Sequence, residues 1–253
     1  MAEKKRICVL AVLLAAIAVL YAAAGNTNAA SVYTFATNKK QLPVYRVDRA
    51  DNKIAISFDC AWGTEHTEAI LDAMEFYGVR CTFFAVSFWA EKYPETVKEI
   101  LSRGHEIGTH SATHSHMNKL TATQIEEELE TSAALIEKIG GKKVTLFRPP
   151  FGEYNDRLVE TARGMGLQVV QWDVDSLDWK NLSAEKIASR VIGKTRSGSI
   201  ILCHNNGLHT AESLPLIFSA LKEKGFEFVP VGELIYRENY EIRRDGTQIK
   251  SGE

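Results

Sequence analysis

The feature that most limits the fold of this chain is the alternation of apolar, strand-like segments with amphipathic, helix-like segments. Residues 54–58, 80–86 and 199–203 have strand character, whereas 67–77 and 183–194 carry apolar residues at helical spacing. This alternation predicts a mostly parallel sheet covered by helices, because parallel strands need long crossover connections. Six or seven such units over about 190 residues favour a small or incomplete α/β barrel, with a doubly wound open sheet as the alternative.

The two ends of the chain are predicted to lie outside this barrel. Residues 1–24 combine a basic cluster, Lys4-Lys5-Arg6, with an apolar run of 18 residues, a pattern typical of an export signal. The run is also just long enough to span a bilayer, so a cleaved signal peptide and a retained membrane anchor both stay open. The body is expected to be exported in either case. Residues 237–253 are predicted to be a charged, frayed tail.

The body of the protein, residues 53–236, is predicted to be a single domain. It contains no internal repeat, inner linker or coiled-coil pattern, so a monomer is expected. Residues 25–52 before it are predicted to be a tether that ends in a strand. That strand, 42–47, is expected to form a hairpin with 54–58.

Charge, loops and cysteines exclude several classes of function. The net charge is −2 and no basic run follows the N-terminus, so nucleic acid is not expected as a partner. No Gly-rich phosphate loop follows the first strand, which gives nucleotide binding no support. Of four cysteines, Cys8 lies in the apolar run, and Cys60, Cys81 and Cys203 form no Cys-x-x-Cys pair. A disulfide framework is therefore not expected.

Three of the seven histidines, His110, His114 and His116, fall within seven residues. His110 and His114 have i, i+4 spacing, so one helical turn would bring both imidazoles to the same side. Two imidazoles presented in this way are typical of a metal site, zinc in particular. A polar turn whose histidines face water is the alternative that the spacing leaves open.

Polar residues also follow five of the predicted strands, where a barrel of this kind collects its functional side chains. They are Asp59 with Cys60, His110 with His114, Arg148, the group Asp173, Asp175, Asp178 and Trp179, and His204. We expect these strand ends to form one site.

Five short motifs cover these strand ends. They are Ser57-Phe58-Asp59-Cys60, His110-Ser111-Ala112-Thr113-His114, Arg148-Pro149-Pro150-Phe151-Gly152, Asp175-Ser176-Leu177-Asp178-Trp179 and Leu202-Cys203-His204. In this order, over residues 54–235, they resemble the motifs of the polysaccharide deacetylases with a NodB-like homology domain (carbohydrate esterase family 4). With the export signal, the chain is most similar to the sporulation-associated members.

This resemblance implies a distorted (β/α)7 barrel and a metal-dependent hydrolase. The reaction would remove N-acetyl groups from the amino sugars of peptidoglycan, in spore or cell-wall biogenesis. A divalent metal, zinc or alternatively cobalt, would be held by His110 and His114. Asp59 resembles the family's general base, and Arg148 would orient it through a bidentate contact.

The remaining motif residues resemble the acid and the substrate-binding groups of the family. His204 would protonate the leaving amine, with Asp178 holding its second nitrogen and raising its pKa. The backbone N–H of Phe151 would stabilise the tetrahedral oxyanion. Leu202 would line the pocket for the acetyl methyl group, and Trp179 would form a wall beside the sugar.

Cys60 departs from the family pattern, in which a second Asp completes an Asp-His-His metal site. Cys60 could serve as a thiolate ligand to zinc, or it could pack as a small buried apolar residue. Two functions therefore stay open, a zinc-dependent deacetylase and a weak or inactive relative that binds glycan. Hydrolysis of an amide in a non-sugar substrate is a third, less favoured function.

Overall fold

The structure is a computed structural model that describes residues 40–252. The predicted export signal at 1–24 and the tether up to residue 39 lie outside the described residues. The strands are β1 (Arg46–Val47), β2 (Lys53–Cys60), β3 (Thr82–Ala85), β4 (Glu106–Thr109), β5 (Leu146–Phe147), β6 (Gln168–Val169), β7 (Val174–Asp175), β8 (Ile200–His204), β9 (Glu227–Phe228), β10 (Tyr240–Ile242) and β11 (Thr247–Lys250). The helices are α1 (Thr67–Tyr77), α2 (Ser87–Lys92), α3 (Pro94–Ser102), α4 (Ala122–Gly140), α5 (Asp156–Gly164), α6 (Ala184–Lys194), α7 (Thr210–Glu223) and α8 (Val231–Leu234).

The main sheet follows the chain around a barrel. Its strand order is β6-β5-β4-β3-β2-β8-β7, all in parallel, and β9 pairs with β2 beside this path. The bent segment 168–175 contains both β6, which pairs with β5, and β7, which pairs with β8. The two edges of the sheet are thus joined by one segment that changes partner. This arrangement confirms the predicted distorted (β/α)7 barrel and excludes the doubly wound sheet.

Side chains on β2 alternate between the barrel interior and the layer of helices. Ile54, Ile56, Phe58 and Cys60 belong to the apolar cluster that also contains Ile70 and other helix residues. The residues between them on β2 point to the other face, because successive side chains on a strand project to opposite sides. This alternation decides which residues at the end of β2 can reach a site inside the barrel.

The longest helix, α4, begins at a capping box. The Thr121 hydroxyl accepts a hydrogen bond from the backbone N–H of Gln124, and the Gln124 side chain accepts one from the backbone N–H of Thr121. The sequence allows Thr121 or Thr123 as the N-cap, and the structure uses Thr121. Gly141 ends the helix in a left-handed conformation with φ of 67°, which glycine adopts without steric cost.

The C-terminal segment is ordered structure, so the predicted frayed tail over 237–252 is wrong. β10 and β11 form an antiparallel hairpin, and β11 pairs in parallel with β1. The predicted hairpin of 42–47 with 54–58 is wrong for the same reason, since the partner of β1 is β11. Buried Gln248 ties this small sheet to the barrel, donating to the Tyr236 carbonyl and accepting from the Tyr236 N–H, each at 2.8 Å.

Three smaller differences between the sequence predictions and the structure concern single helices or strands. The sequence predicts no element over 87–92, where the structure has helix α2, and it predicts one continuous strand over 168–174, which the structure divides into β6 and β7. Helix α7 continues through Pro215, where the sequence predicts a break. Within residues 40–252, no helix is both long enough and apolar enough to cross a membrane.

We expect Gln248→Ala to lower the free energy of unfolding by about 1–3 kcal/mol, because it leaves the N–H and the carbonyl of partly buried Tyr236 without these partners. Urea denaturation of the two proteins measures this difference. Glu238→Ala, at an exposed position in the same segment, is the control and should change stability by no more than about 0.5 kcal/mol. Equal stability of Gln248→Ala and wild type would contradict an integral role for the hairpin.

Candidate functional site

A groove of about 500 Å³ opens at the carboxyl ends of the barrel strands. Its lining consists of Asp59, Ala61, Trp62, His110, His114, Phe151, Gly152, Trp172, Asp175, Trp179, Leu202, His204 and Asn206. All five predicted motifs contribute to it, as expected from the rule that functional groups collect at this end of a parallel barrel. The individual roles of these residues stay predictions.

Arg148 is a fully buried cation at the centre of the site. One guanidinium nitrogen donates to Asp59 Oδ1 at 2.8 Å, and the other donates to Ser57 Oγ at 2.8 Å and to the Gln171 carbonyl at 3.2 Å. The guanidinium carbon also lies 4.1 Å from the centre of the Phe84 ring, where a cation is attracted to the aromatic face. The predicted bidentate contact with Asp59 is wrong, since the second nitrogen binds Ser57.

Asp59 is held ionised in this environment. Its burial favours the neutral carboxyl group, but the charge of Arg148 outweighs the burial, with a smaller contribution from the charge of His204, and the pKa of Asp59 is lowered. The side chain is only 9% exposed and its Oδ2 lies 3.6 Å from His110 Nε2. A carboxylate held in this way can accept a proton from a molecule in the groove.

The two histidines lie in a loop after β4, and the predicted helical turn is wrong. Ser111 and His114 have positive φ angles of 75° and 56°, which no right-handed helix contains. The ring centres of His110 and His114 are nevertheless 5.0 Å apart. His110 Nδ1 lies 2.7 Å from the Arg148 carbonyl, which can only accept, so Nδ1 carries the hydrogen and the neutral Nε2 faces Asp59.

Helix α4 fixes the conformation of this loop. Glu128 Oε2 accepts from the N–H groups of Ala112 and Thr113, each at 2.9 Å, and Oε1 accepts from the Thr113 hydroxyl at 2.6 Å. Within the loop, Ser111 Oγ accepts from the N–H of His114 at 2.9 Å. Burial lowers the pKa of His114 to about 4, so its imidazole is neutral at neutral pH.

Cys60 does not join the two histidines, so its candidacy as a metal ligand is not supported by the structure. Its side chain is fully buried in the helix-facing core, with Sγ 3.8 Å from the Phe58 carbonyl. Burial raises the pKa of the thiol well above its usual value. Cys60 is the last residue of β2 and takes the side of the strand opposite to groove-facing Asp59, in the same apolar cluster as Phe58 and Ile70.

The donor set therefore does not fit a catalytic zinc ion, which in proteins takes three side-chain ligands and an open position. Among residues 40–252, no group of three or more His, Cys, Asp or Glu side chains is arranged to hold a metal ion. His110 and His114 supply two imidazole nitrogens, and the thiol that could complete the set faces the core.

The second titratable pair of the groove is formed by His204 and Asp178. His204 Nδ1 lies 2.7 Å from Asp178 Oδ1. The buried Asp178 carboxylate also accepts from the N–H groups of His204 and Trp179 and from the Thr210 hydroxyl. Burial alone would lower the pKa of His204, but the hydrogen bond to Asp178 and the charge of that carboxylate outweigh it, and the pKa is raised.

The remaining predicted residues line the groove, except Asp173. Phe151 and Trp179 are each 55% exposed at the edges of the groove, and Leu202 is buried in its wall. Asp175 Oδ1 accepts from the N–H of Leu177 at 2.9 Å and so shapes the following turn. Asp173 contacts the amino end of β8, where it accepts from the Ser199 hydroxyl and the N–H of Ile200, away from the groove.

Several residues of the site have no role in the sequence prediction. Ser57 bridges Arg148 Nη2 and the Ile201 carbonyl, and Thr210 holds Asp178. Ser57 could have been found from the strand period, since it lies two residues before Asp59 and faces the same side. Thr210 carries no such signal, because only the packing of α7 brings it to Asp178.

The chain matches one family model and several known proteins along most of the described residues. Residues 46–170 match the family model described as polysaccharide deacetylase. A peptidoglycan-N-acetylglucosamine deacetylase of Bacillus cereus is 34% identical over 196 residues, which cover 76% of this chain and 92% of that protein. The uncharacterized protein YlxY of Bacillus subtilis is 33% identical over 76% of this chain, but the match spans only 60% of its own length.

Solved structures with the same fold include enzymes and a protein described as inactive. The wild-type BA3943 of Bacillus anthracis, described as a CE4 family pseudoenzyme, has a TM-score of 0.75 and 29% identity, covering 83% of this chain and 73% of that one. A BA3943 mutant with restored enzymatic activity has a TM-score of 0.75 and 31% identity, covering 78% and 72%.

We expect Arg148→Ala to lower the free energy of unfolding by about 3–5 kcal/mol, because it leaves the Asp59 carboxylate buried without its partner. Urea denaturation measures the loss. The double variant Asp59→Asn/Arg148→Met removes both charges and should be less destabilised than the single variant. Arg80→Ala, which breaks a half-exposed ion pair with Glu233, is the control at about 0–1 kcal/mol. A small loss in Arg148→Ala would contradict the buried pair.

We expect an NMR titration to show the pKa of His204 above the usual histidine value of about 6.5, and Asp178→Asn to lower it. Because the folded-state pKa is raised, the contribution of this pair to stability is complete below the unfolded-state pKa and is lost as pH rises through the folded-state pKa. His105, whose pKa burial lowers to about 4, should keep its titration in Asp178→Asn. An unchanged His204 pKa in that variant would refute the assigned cause.

Proposed function

This chain belongs to the polysaccharide deacetylase family, and on that premise we propose that it removes N-acetyl groups from amino sugars of peptidoglycan. The observation that carries the proposal is the pair of opposed titratable groups in one groove. Asp59 and His204 lie at the ends of adjacent strands, and each is held by a buried partner of opposite charge, Arg148 and Asp178. Glycan binding alone needs no such base and acid.

The proposed reaction uses the two groups in opposite directions. Asp59 accepts a proton from a water molecule as the water oxygen bonds to the acetyl carbon. Arg148 fixes the orientation of Asp59, and the N–H of Phe151 stabilises the negative charge that develops on the former carbonyl oxygen. The bond between carbon and nitrogen then breaks, His204 gives a proton to the amine, and acetate and a free amino sugar leave.

His204 suits the role of acid because Asp178 keeps it protonated to a higher pH than usual. Asp59 is available as a base because the charge of Arg148 lowers its pKa and keeps its carboxylate ionised at neutral pH. The two shifts move the pKa values apart, so that both groups carry their reactive protonation state at the same neutral pH. Leu202 lines the groove beside this pair and offers an apolar surface to the acetyl methyl group.

A second candidate, a glycan-binding relative without hydrolysis, is favoured by the position of Cys60. Among the described residues, His110 and His114 belong to no group of three or more His, Cys, Asp or Glu side chains that could hold a metal ion. Such a protein would hold the glycan in the same groove and turn it over slowly or not at all.

We also propose that the protein works outside the cytoplasm, in cell-wall or spore formation. The support is the basic and apolar pattern of residues 1–24 and the resemblance to sporulation-associated members of the family. Peptidoglycan is then the expected partner, with an additional membrane contact if residues 1–24 are retained. We expect the body to be a monomer.

Acetate release from purified peptidoglycan separates the two candidates. For a deacetylase we expect release by the wild-type protein and a loss of about 10²-fold or more in Asp59→Asn and in His204→Ala. His209→Ala is the matched histidine control, because His209 pairs with Glu212 on the helix surface, and it should keep the wild-type rate. No acetate release, together with equal peptidoglycan binding by wild type and Asp59→Asn, would refute hydrolysis and leave the binding function.

The metal content of the same proteins, before and after incubation with zinc or cobalt, gives an independent readout. Metal retained in Cys60→Ser and lost in His110→Ala would support hydrolysis with a donor other than the thiol. Metal lost in both variants would show that Cys60 leaves the core to bind. Wild-type protein that takes up no metal would favour the binding function.

A further inference from the structure

We propose that Trp62 is a sugar-stacking residue, which binds a second unit of a chain of N-acetylated amino sugars beside the unit at Asp59 and His204. This inference rests on the proposed function and adds to it a residue that selects glycan chains over single sugars. It is carried by the position of Trp62 in the groove, by the wall that it forms with other rings, and by the way its backbone is held.

Trp62 stands at the rim of the groove on the loop that follows β2. Its indole lines the groove and is 58% exposed, whereas most tryptophan side chains in folded proteins are largely buried. The ring meets that of His114 edge to face, with centres 5.2 Å apart and planes at 69°. Trp62 therefore reaches from the end of β2 toward the loop that follows β4.

A continuous aromatic wall extends from Trp62 along this side of the groove. The His114 ring meets the Phe151 ring edge to face at 4.5 Å, and Phe151 stacks on His116 at 4.5 Å with planes at 19°. Trp179 follows β7, which is separated from β2 in the sheet by β8 and its His204. A sugar unit at His204 thus has an exposed indole following the strand on each side.

The backbone under Trp62 is fixed although its side chain is exposed. The carbonyl of Gly63 accepts from the indole N–H of Trp89 at 2.7 Å and from the amide of Asn205 at 2.8 Å. Both donors belong to buried residues, and Asn205 also donates to the Thr67 hydroxyl at 3.2 Å. Gly63 itself has φ of 60°, a conformation that glycine adopts freely. An exposed ring on a fixed backbone loses little freedom when a ligand binds.

The chemistry of the exposed surface fits an amino-sugar chain. A pyranose ring presents C–H groups on its face, and the flat indole covers such a face while the hydroxyl and acetamido groups at the ring edge stay solvated. No lysine or arginine lines the groove, so a ligand bound mainly through negative charge is not favoured. The occupant is accordingly an uncharged stretch of glycan.

Calorimetric titration of the full-length protein with the pentamer of N-acetylglucosamine tests this inference. We expect Trp62→Ala to weaken binding about 10-fold, and Trp62→Phe, which keeps an aromatic face, to restore most of it. Phe76→Ala removes an aromatic ring that is 83% exposed outside the groove and should bind as wild type. The change in tryptophan emission on binding should be smaller in Trp62→Phe than in wild type, because one contacting indole is missing.

The outcomes separate this inference from the function on which it rests. Binding by wild type and by Trp62→Ala with equal affinity would overturn the stacking role alone. Equally weak binding by Trp62→Ala and Trp62→Phe, with lowered melting temperatures in both, would overturn it in favour of a structural role. No binding of the pentamer by wild type would overturn the proposed function and this inference together.

Discussion

The contact between Arg148 and Asp59 is the interaction on which the remainder of the site depends. It joins β2 to the end of β5 across the barrel interior, because these strands are not neighbours in the sheet. A buried ion pair gives up the solvation of both charges, and the attraction between them offsets that loss only when further hydrogen bonds satisfy both groups. Ser57 and the Gln171 carbonyl supply those bonds to Arg148. The same ion pair therefore links the strands of the barrel and positions Asp59 in the site. A substitution that disturbs the barrel interior is expected to alter the site as well.

The alternation of side chains along β2 places its last two residues in different environments. Asp59 faces the groove with an ionised carboxylate, and Cys60, the next residue, faces the helices with a neutral thiol. Two adjacent residues of one strand thus lie in opposite environments, the groove and the apolar core. As a result, the Cys60 thiol is not beside the imidazoles of His110 and His114.

Much of this architecture could be predicted from the sequence. The predictions that are wrong concern elements whose conformation depends on contacts that a local sequence pattern does not show. Apolar segments and polar strand ends are local signals, so the barrel and the convergence of Asp59, His110 and His204 in one groove follow from the sequence. The hairpin of β10 and β11 was missed because its charged sequence is stabilised by pairing with distant β1. The i, i+4 spacing of His110 and His114 predicts a helical turn because it does not reveal the positive φ angles of the loop that Glu128 and Ser111 stabilise.

The pairing of β1 with β11 also distinguishes the two ends of the barrel. β1 lies beside the amino end of β8, where Arg46 forms a β-bridge with Ser199 and the N–H of Val47 donates to the Gly198 carbonyl, and β11 pairs with β1. The groove opens at the opposite end of the barrel. A protein attached to a solid support through either terminal strand would consequently present its groove outward. Its working face would then be free to contact an insoluble polymer too large to enter a closed cavity.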